Sequence, residues 1–317
     1  MFINQIFISF DGFKKDNNGN AICRVLWSDD GFNTCVDITS NLPNLPINDL
    51  DGMMINNELF MIASNDLGIY MYKVSDGLWY DISSGMPPTV VPDIEINYAG
   101  FLMAATYGRG IWRASLPCTN DDEPYEITST IIFNSEQFFN KNIQVKNGGI
   151  LKITDPAKIY MVEDAQITIE PGGQLIVDGG TITNACGDFW QGIVVIGQQN
   201  QPQTLPYQGA VRLMNGATIE NAVYGIQLYD RQSDGEPIAT SAGGLLLASD
   251  ATFKNNKKAI VAGYYNQSGS YVQNCDFIID AEYYEKSSSQ PFFADLHELN
   301  AFNFNGNLFK NEVTDAS

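Results

Sequence analysis

Few side chains in this sequence could carry out nucleophilic or acid–base chemistry. The chain has one histidine, His297, and five cysteines that form no CxxC pair. A catalytic triad would therefore have to use His297, which is interpreted as a partly exposed loop residue. A structural zinc site needs several cysteine and histidine ligands at short spacing, and the sequence lacks such a group. No catalytic residue and no metal site are predicted.

Cleavage of a polysaccharide would need another set of residues. A lyase needs carboxylates that hold Ca²⁺ and a base beside them, and a glycosidase needs two carboxylates about 5–10 Å apart. No motif places Arg212, Arg231 or a lysine beside an aspartate cluster. Whether the chain is an enzyme stays uncertain, and the residues favour a non-catalytic protein without a cofactor. Asp121-Asp122-Glu123 could bind Ca²⁺ weakly, with a solvated linker as the alternative.

Aromatic residues in expected loops favour ligand binding. Aromatic faces stack on sugar rings and anchor protein interfaces. Trp190 is the first candidate because glycines flank its segment and Asp188 stands two residues before it. Asp188 is itself a predicted ligand-binding residue, and Tyr224 and Tyr229 are the other two. For each ring, the alternative is ordinary packing over a corner or under a loop.

The composition excludes two classes of partner. The 17 Lys and Arg residues against 37 Asp and Glu give a net charge of −20. Sequence-independent binding to nucleic acid phosphates and to anionic membrane surfaces is therefore not expected. No apolar run approaches the ~18 residues of a membrane-spanning helix. The hydrophobic fraction of 44% predicts a folded chain.

The compartment is only partly constrained by the sequence. The first ten residues alternate like a strand and do not resemble a signal peptide, so an export signal of a secreted protein would lie outside this chain. Cys23 and Cys35 could pair across a hairpin, but the odd number of cysteines weakens any disulfide framework. The redox state of the cysteines is therefore left open.

The first third of the chain repeats with a period near 44 residues. Asp37-Ile38 recurs as Asp81-Ile82, and short strands alternate with Gly, Pro and Asn turns. Repeats of this length, built from short strands, are typical of β-propeller blades. In the first repeat, Ser28, Asp30 and Thr34 match the Asp-box of sialidase-like and sortilin-like propellers, which the segment 27–35 resembles. In that family the box is a turn whose short polar side chains bond to local backbone amides, so the resemblance implies that these three residues are structural.

The rest of the chain has a different rhythm. Residues 116–130 are polar and acidic and are interpreted as a linker. After them, apolar pairs recur every eight residues with turns between them: Ile143/Val145, Leu151/Ile153, Ile159/Met161, Ile167/Ile169 and Leu175/Val177. Three such strands make about 24 residues per coil, which predicts a right-handed parallel β-helix over residues 131–317. Asparagines at a fixed corner could stack as a ladder or serve only as turn residues.

Two resemblances extend this interpretation. The segment 27–35 resembles the Asp-box of sialidase-like and sortilin-like propellers, although Phe32 and Cys35 depart from its pattern, and 104–112 resembles the closing strand of such a propeller in secreted Bacteroidetes proteins. Residues 140–311 resemble the pectate-lyase-like β-helix domains of large secreted Bacteroidetes proteins, many of which use the type IX secretion system. Residues 1–115 are then expected to be the last, incomplete blades of a propeller.

These observations predict an all-β protein: a partial β-propeller of about two blades, a linker and a β-helix that is itself truncated. The expected location is extracellular or on the outer-membrane surface. The expected function is a non-catalytic structural or adhesive module that binds a polysaccharide or a cell-surface protein through loops of the coil. A carbohydrate-active lyase or hydrolase is one alternative, and a truncated fragment without independent function is another.

Overall fold

The computed structural model describes residues 6–11, 23–266 and 268–312. The chain divides into two compact units, Met1–Pro117 and Cys118–Ser317. The regular structure of both units is almost entirely strand: strands account for 53% of the described residues and helices for 3%. The protein is therefore all-β.

Among its described residues, the first unit contains three antiparallel groups of strands, each a meander of chain neighbours. Turns with glycine or asparagine at positive φ, such as Asn56, Asn57 and Gly77, connect the strands. The first group is β1 (Ile6–Ser9), β2 (Val25–Ser28) and β3 (Val36–Asp37). The second is β4 (Ile47–Ile55), β5 (Glu58–Asn65), β6 (Ile69–Lys73) and β7 (Leu78–Asp81), and the third is β8 (Asp93–Asn97), β9 (Phe101–Thr106) and β10 (Gly110–Ser115).

Two buried clusters stabilise the first unit. The first packs β2 against β4–β7 around Trp79, whose ring lies 5.1 Å from that of Tyr72. The second packs β5 and β6 against β8 and β9 and includes Ile62, Ile94 and Leu102. Because apolar residues cover both faces of β5, this strand contributes to both clusters.

The second unit is a coil of strands that returns to the same three parallel sheets. Ile143 pairs with Ile167 and Leu151 with Leu175, so one turn of the coil takes 24 residues in its early part. This arrangement fits a parallel β-helix. The first sheet contains β11 (Asp121–Ile127), β14 (Lys141–Val145), β17 (Gln166–Ile169), β20 (Trp190–Val195), β23 (Ala222–Gln227), β28 (Lys258–Tyr265) and β31 (Phe292–Leu299).

The other two sheets have the same organisation. The second sheet contains β12 (Thr130–Phe133), β15 (Ile150–Thr154), β18 (Gln174–Asp178), β21 (Ala210–Met214), β26 (Leu245–Ser249), β29 (Tyr271–Gln273) and β32 (Asn303–Asn305). In this unit, the third contains β13 (Gln137–Phe139), β16 (Lys158–Met161), β19 (Thr181–Asn184), β22 (Thr218–Glu220), β27 (Thr252–Lys254), β30 (Asp276–Ile279) and β33 (Leu308–Asn311). Outside these sheets lie a short ladder of β24 (Asp230–Arg231) and β25 (Pro237–Ile238), a 3-10 helix at Ala239–Ser241 and helix α1 (Ala281–Lys286).

The eight-residue apolar rhythm is confirmed as the core of the coil. The five predicted inward pairs, from Ile143/Val145 to Leu175/Val177, are all fully buried. Side chains alternate across a strand, so the residue between the two members of each pair points outward. Phe253 and Phe277 continue this core in later coils, with stacked rings 4.9 Å apart.

Asparagines at the corners serve the backbone and do not form a continuous ladder. Asn221 and Asn255 adopt φ of 58° and 53°, a left-handed conformation that asparagine tolerates better than most residues. Their side-chain amides donate to other partners, Thr183 Oγ1 at 3.4 Å and Asp280 Oδ1 at 2.8 Å. Of the two alternatives from the sequence, turn residues without a ladder match these contacts.

The structure differs from the predicted linker over residues 116–130. Strand β11 lies inside this range and pairs in parallel with β14, with Ile127 fully buried. Acidic residues do not prevent pairing here because they lie at the exposed start of the strand, where Asp121 and Glu123 both lie near Lys141 Nζ, at 3.2 and 3.5 Å. The coil therefore begins within the segment predicted as a linker.

One disulfide joins Cys118 to Cys186, with a Cα–Cα distance of 5.9 Å. The possible pairing of Cys23 with Cys35 is wrong, since both are free thiols. Burial and the neighbouring Asp37 raise the pKa of Cys23 to about 11. The disulfide links the start of the coil to the corner after β19, across a sequence separation of 68 residues.

Removal of this disulfide should destabilise the coil. The double variant Cys118→Ser, Cys186→Ser is expected to lose about 2–5 kcal/mol, because the cross-link restricts the unfolded chain over a long loop. The measurement is the urea midpoint of unfolding, followed by circular dichroism. Cys35→Ser, which changes an exposed free thiol, is the matched control and should unfold like the parent. Equal midpoints for all three proteins would contradict a stabilising role.

Candidate functional site

Trp190 does not offer its ring to a ligand, so the prediction for this residue is wrong. Its side chain is 0% exposed, and its indole Nε1 donates a hydrogen bond to the Glu220 carbonyl at 2.9 Å. The preceding turn, with Cys186 and Gly187 at positive φ, leads the chain back onto the sheet. Asp188 lies exposed in this turn. The flanking glycines thus mark the return of the chain into β20.

Tyr224 and Tyr229, the other two predicted residues, lie together around Arg231. The guanidinium carbon of Arg231 is 5.1 Å from the ring centre of Tyr224 and 5.2 Å from that of Tyr229. Arg231 Nη2 also donates to the Tyr229 hydroxyl at 2.9 Å. Tyr229 is fully buried and Tyr224 is half-buried, so Tyr229 supports the arginine while Tyr224 keeps an accessible edge.

Two later strands of the same sheet extend this group. The rings of Tyr264 and His297 lie 4.9 Å apart in an edge-to-face arrangement, and each also packs against Tyr229. Asp295 Oδ1 is 3.5 Å from His297 Nδ1, and Asp295 Oδ2 accepts from Lys258 Nζ at 2.7 Å. We name this group the tyrosine–arginine cluster; its members are Tyr224, Tyr229, Arg231, Lys258, Tyr264, Asp295 and His297.

The register of the first sheet explains why these residues meet. Asp295 pairs with Val261 and His297 with Gly263, and residues two apart on a strand point to the same side. A Cβ atom on Gly263 would lie 2.7–2.8 Å from Cδ2 and Nε2 of His297. The absence of a side chain at this position therefore gives the imidazole its space over β28.

The charge of Arg231 is held in place but not neutralised. Its Nε donates to Gln227 Oε1 at 2.7 Å and its Nη1 to the Gly235 carbonyl at 2.8 Å, and both acceptors are neutral. Within the described part of the chain, no carboxylate lies within ion-pair distance of it, whereas Lys258 is paired with Asp295. Three of the five N–H groups of the arginine are used, which leaves one N–H on each of Nη1 and Nη2.

The protonation states favour binding over proton abstraction. Burial raises the pKa of Tyr229 to about 12, with a smaller opposing effect of Arg231, so its hydroxyl stays protonated at neutral pH. The hydrogen bond from Lys258 lowers the pKa of Asp295, which is therefore a carboxylate. The cluster thus presents a cation, an ion pair and two half-buried aromatic rings, Tyr224 and Tyr264, at neutral pH.

Of the seven members of this cluster, the sequence predicted only Tyr224 and Tyr229 as ligand-binding residues. It placed His297 in a loop, whereas this residue lies in β31, half-buried. The usable signal was the alternation within Phe292–Leu299, where every second residue is half-buried. Arg231 belongs to no recognisable motif, although its hydrogen-bond partners Gln227, Tyr229 and Gly235 all lie within four residues of it in the sequence.

The structural turn of the first unit is closed by its own side chains. Asp30 Oδ1 accepts from Ser28 Oγ and from the Thr34 backbone N–H, both at 2.9 Å, and Asp30 Oδ2 accepts from Thr34 Oγ1 at 2.8 Å. These hydrogen bonds lower the pKa of Asp30, and the bond from the Thr34 backbone N–H has the largest effect. The contacts correspond to a turn-stabilising role for all three residues.

No metal centre is found in the part of the chain that the structure describes: no three His, Cys, Asp or Glu side chains there are grouped to hold an ion. Weak Ca²⁺ binding at Asp121-Asp122-Glu123 stays a prediction. The described residues also contain no helix with the length and apolar character needed to cross a membrane. Comparisons of the chain with protein-family models, with curated proteins and with solved structures gave no match.

The raised pKa of Tyr229 predicts a pH dependence of stability. An unfolded tyrosine ionises near pH 10, so the stabilising contribution of the protonated side chain is complete below about pH 10 and is lost as the pH rises towards about 12. The fall in urea midpoint between pH 9 and pH 11 should therefore be smaller in Tyr229→Phe than in the parent. Tyr207→Phe, at an exposed tyrosine, should show the parental fall. An unchanged fall in Tyr229→Phe would contradict the assignment.

Proposed function

We propose that this chain belongs to an extracellular or cell-surface protein and that its coil is a non-catalytic module that binds an anionic glycan. The observation that carries the proposal is the guanidinium of Arg231, which is held against Tyr224 and Tyr229 and which no carboxylate of the described residues neutralises. A protein with a net charge of −20 repels anions in general. A fixed cation without a carboxylate partner is therefore best suited to a direct contact with one anionic group of a ligand.

Each part of the tyrosine–arginine cluster has a role in this proposal. The two free N–H groups of Arg231 match the two oxygens of a carboxylate or sulfate group. Tyr224 and Tyr264 lend half-buried rings that can pack against the apolar face of a sugar. His297 and Lys258 offer further donors at the edge. The buried Tyr229 and the neutral acceptors of Arg231 hold the arginine in one orientation.

Features outside the cluster support the proposed location and architecture. The Cys118–Cys186 disulfide is of a kind that persists in oxidising, extracytoplasmic compartments. Nearly all parallel crossover connections are right-handed, which supports a right-handed coil. The three antiparallel groups of the first unit, with Asp49 and Asp51 of β4 accepting from the Ile94 and Ile96 N–H groups of β8, are compatible with consecutive propeller blades. With the sequence resemblances, these features favour the secreted Bacteroidetes class that uses type IX secretion.

A carbohydrate-active enzyme is the second candidate. The contact of Asp295 with His297, at 3.5 Å, is the observation that favours it, because a carboxylate can orient an imidazole for proton transfer. Against it, Tyr229, one of the two tyrosines that pack against His297, is buried and keeps its proton to about pH 12. Binding without turnover is therefore the function we put first.

The test is a screen of the whole chain against neutral, carboxylated and sulfated polysaccharides, scored for retention and for new reducing or unsaturated ends. We expect retention of one or more anionic polysaccharides without products. Arg231→Gln should weaken binding at least tenfold, about 1.4 kcal/mol, and Tyr264→Ala should weaken it as well. Arg212→Gln, at an exposed arginine of the second sheet, is the matched control and should bind like the parent.

The other outcomes each have a clear meaning. Products that disappear in His297→Gln would favour the enzyme. Retention that is equal in Arg231→Gln and Arg212→Gln would show that the tyrosine–arginine cluster is not the binding site. Preference for neutral over anionic polysaccharides would contradict the role given to the arginine.

A further inference from the structure

The internal repeat of the first unit contains two equivalent side-chain positions. One of them is filled by an aromatic ring, and the other is open to solvent. The filled position is occupied by the ring of Trp79 from β7, which is 3% exposed and whose Nε1 donates to the Ile38 carbonyl at 2.7 Å. It packs with six residues that have counterparts later in the chain: Val25, Ile38, Leu42, Met61, Ala63 and Tyr70.

Backbone register identifies the counterparts. Ala63 pairs with Tyr70 across β5 and β6, and Ala104 pairs with Trp112 across β9 and β10. The Ile38 N–H donates to the Val25 carbonyl, and the Ile82 N–H donates to the Ile69 carbonyl, both at 3.0 Å. The counterparts of the six residues, in the same order, are Ile69, Ile82, Met86, Leu102, Ala104 and Trp112.

These six counterparts line a cleft that is open to solvent. Ala114, the counterpart of Tyr72, lies in the same wall. The third strand group ends at β10, so it has no strand equivalent to β7 and no ring equivalent to Trp79. The cleft is therefore the second copy of the Trp79 position, without its occupant among the described residues.

The outer edge of β10 is equivalent to the edge of β6 that pairs with β7. The Leu116 N–H donates to the Gly100 carbonyl on the β9 side. In an antiparallel pair, alternate residues direct their N–H and C=O groups towards the partner strand and away from it, so those of Ile111, Arg113 and Ser115 point away from β9. Their counterparts on β6 face β7, as the bond from the Ile82 N–H to the Ile69 carbonyl shows. All six residues of β10 are exposed, and Ile111 is 76% exposed.

We propose that β10 and this cleft bind an extended strand of a partner polypeptide, which inserts an aromatic side chain into the Trp79-like position. The added strand would take up the backbone groups of β10, as in other cases of strand addition. Arg109 and Arg113 are exposed near this edge, and neither has a carboxylate within ion-pair distance in the described part of the chain. An acidic strand is therefore favoured, as in the segment around β7, where Asp76 before the strand and Asp81 at its end flank Trp79.

The probe is a fluorescein-labelled peptide with the sequence of residues 75–83, SDGLWYDIS, titrated with the whole chain and followed by anisotropy. We expect saturable binding. The peptide with Trp79→Ala should bind at least tenfold more weakly, because the ring that fills the cleft is gone. The peptide with Asp76→Asn and Asp81→Asn should bind severalfold more weakly at low salt. The binding should be weaker than the intramolecular contact, since Asn41, which bonds to the backbone of Trp79, has Gly85 as its counterpart.

Variants of the protein locate the site. Ala114→Trp, which fills the cleft, should reduce binding of the parent peptide at least tenfold, whereas Ser115→Trp, on the opposite face of β10, should stay within about twofold. The circular dichroism spectrum and melting curve of each protein variant check its folding. The comparison of the parent peptide with the Trp79→Ala peptide uses the unchanged protein and does not depend on any variant. No saturable binding, or equal binding by the Trp79→Ala peptide, would overturn the proposal. Unchanged binding to Ala114→Trp would also overturn it, since the peptide would then bind elsewhere, for example in place of β7.

Discussion

Hydrogen bonding between successive turns of the coil is the constraint on which the second unit depends. Each strand pairs in parallel with the strand one turn earlier, so the paired residues of a middle turn have a fixed neighbour above and below them. Leu151, Leu175, Val211 and Leu246 form one such column in the second sheet, and all four are fully buried. A polar residue inside a column would meet apolar neighbours on both sides. Insertions are therefore confined to the corners, where hairpins such as β24–β25 leave the pairing intact.

The same constraint assembles the candidate site. Residues that point outward on adjacent turns must also stack, so a cluster can collect side chains that are far apart in the sequence. Tyr229, Tyr264 and His297 come from three consecutive turns and meet over Gly263. The hairpin after β23 then places Arg231 against the tyrosines. The outward side chains that stack on adjacent turns determine the chemistry of the candidate site, whereas the inward side chains that stack in columns stabilise the coil.

The parts that the sequence predicts well are those with a short period. The eight-residue rhythm identifies the core pairs because burial repeats at every strand. Trp190 was misassigned because its flanking glycines look like an exposed loop, and only the pairing with β23 shows that the ring is enclosed. The Cys118–Cys186 disulfide has no signal in spacing, since the two residues meet only after nearly three turns of coil. Arg231 escapes detection for a different reason: its hydrogen-bond partners Gln227, Tyr229 and Gly235 are close in sequence, but no motif marks the path of the chain that brings them together.

The position of the disulfide also determines how the coil would carry a mechanical load. A parallel β-helix that is pulled from one end can unravel strand by strand, because each strand is held mainly by the next turn. Tension that enters through Cys118 passes directly to Cys186, so the 68-residue span between them carries none of it. The first turns then act as a fixed block, and extension can begin only beyond them. In an oxidising environment, the coil would therefore yield at a higher force and over a shorter length than its number of turns suggests.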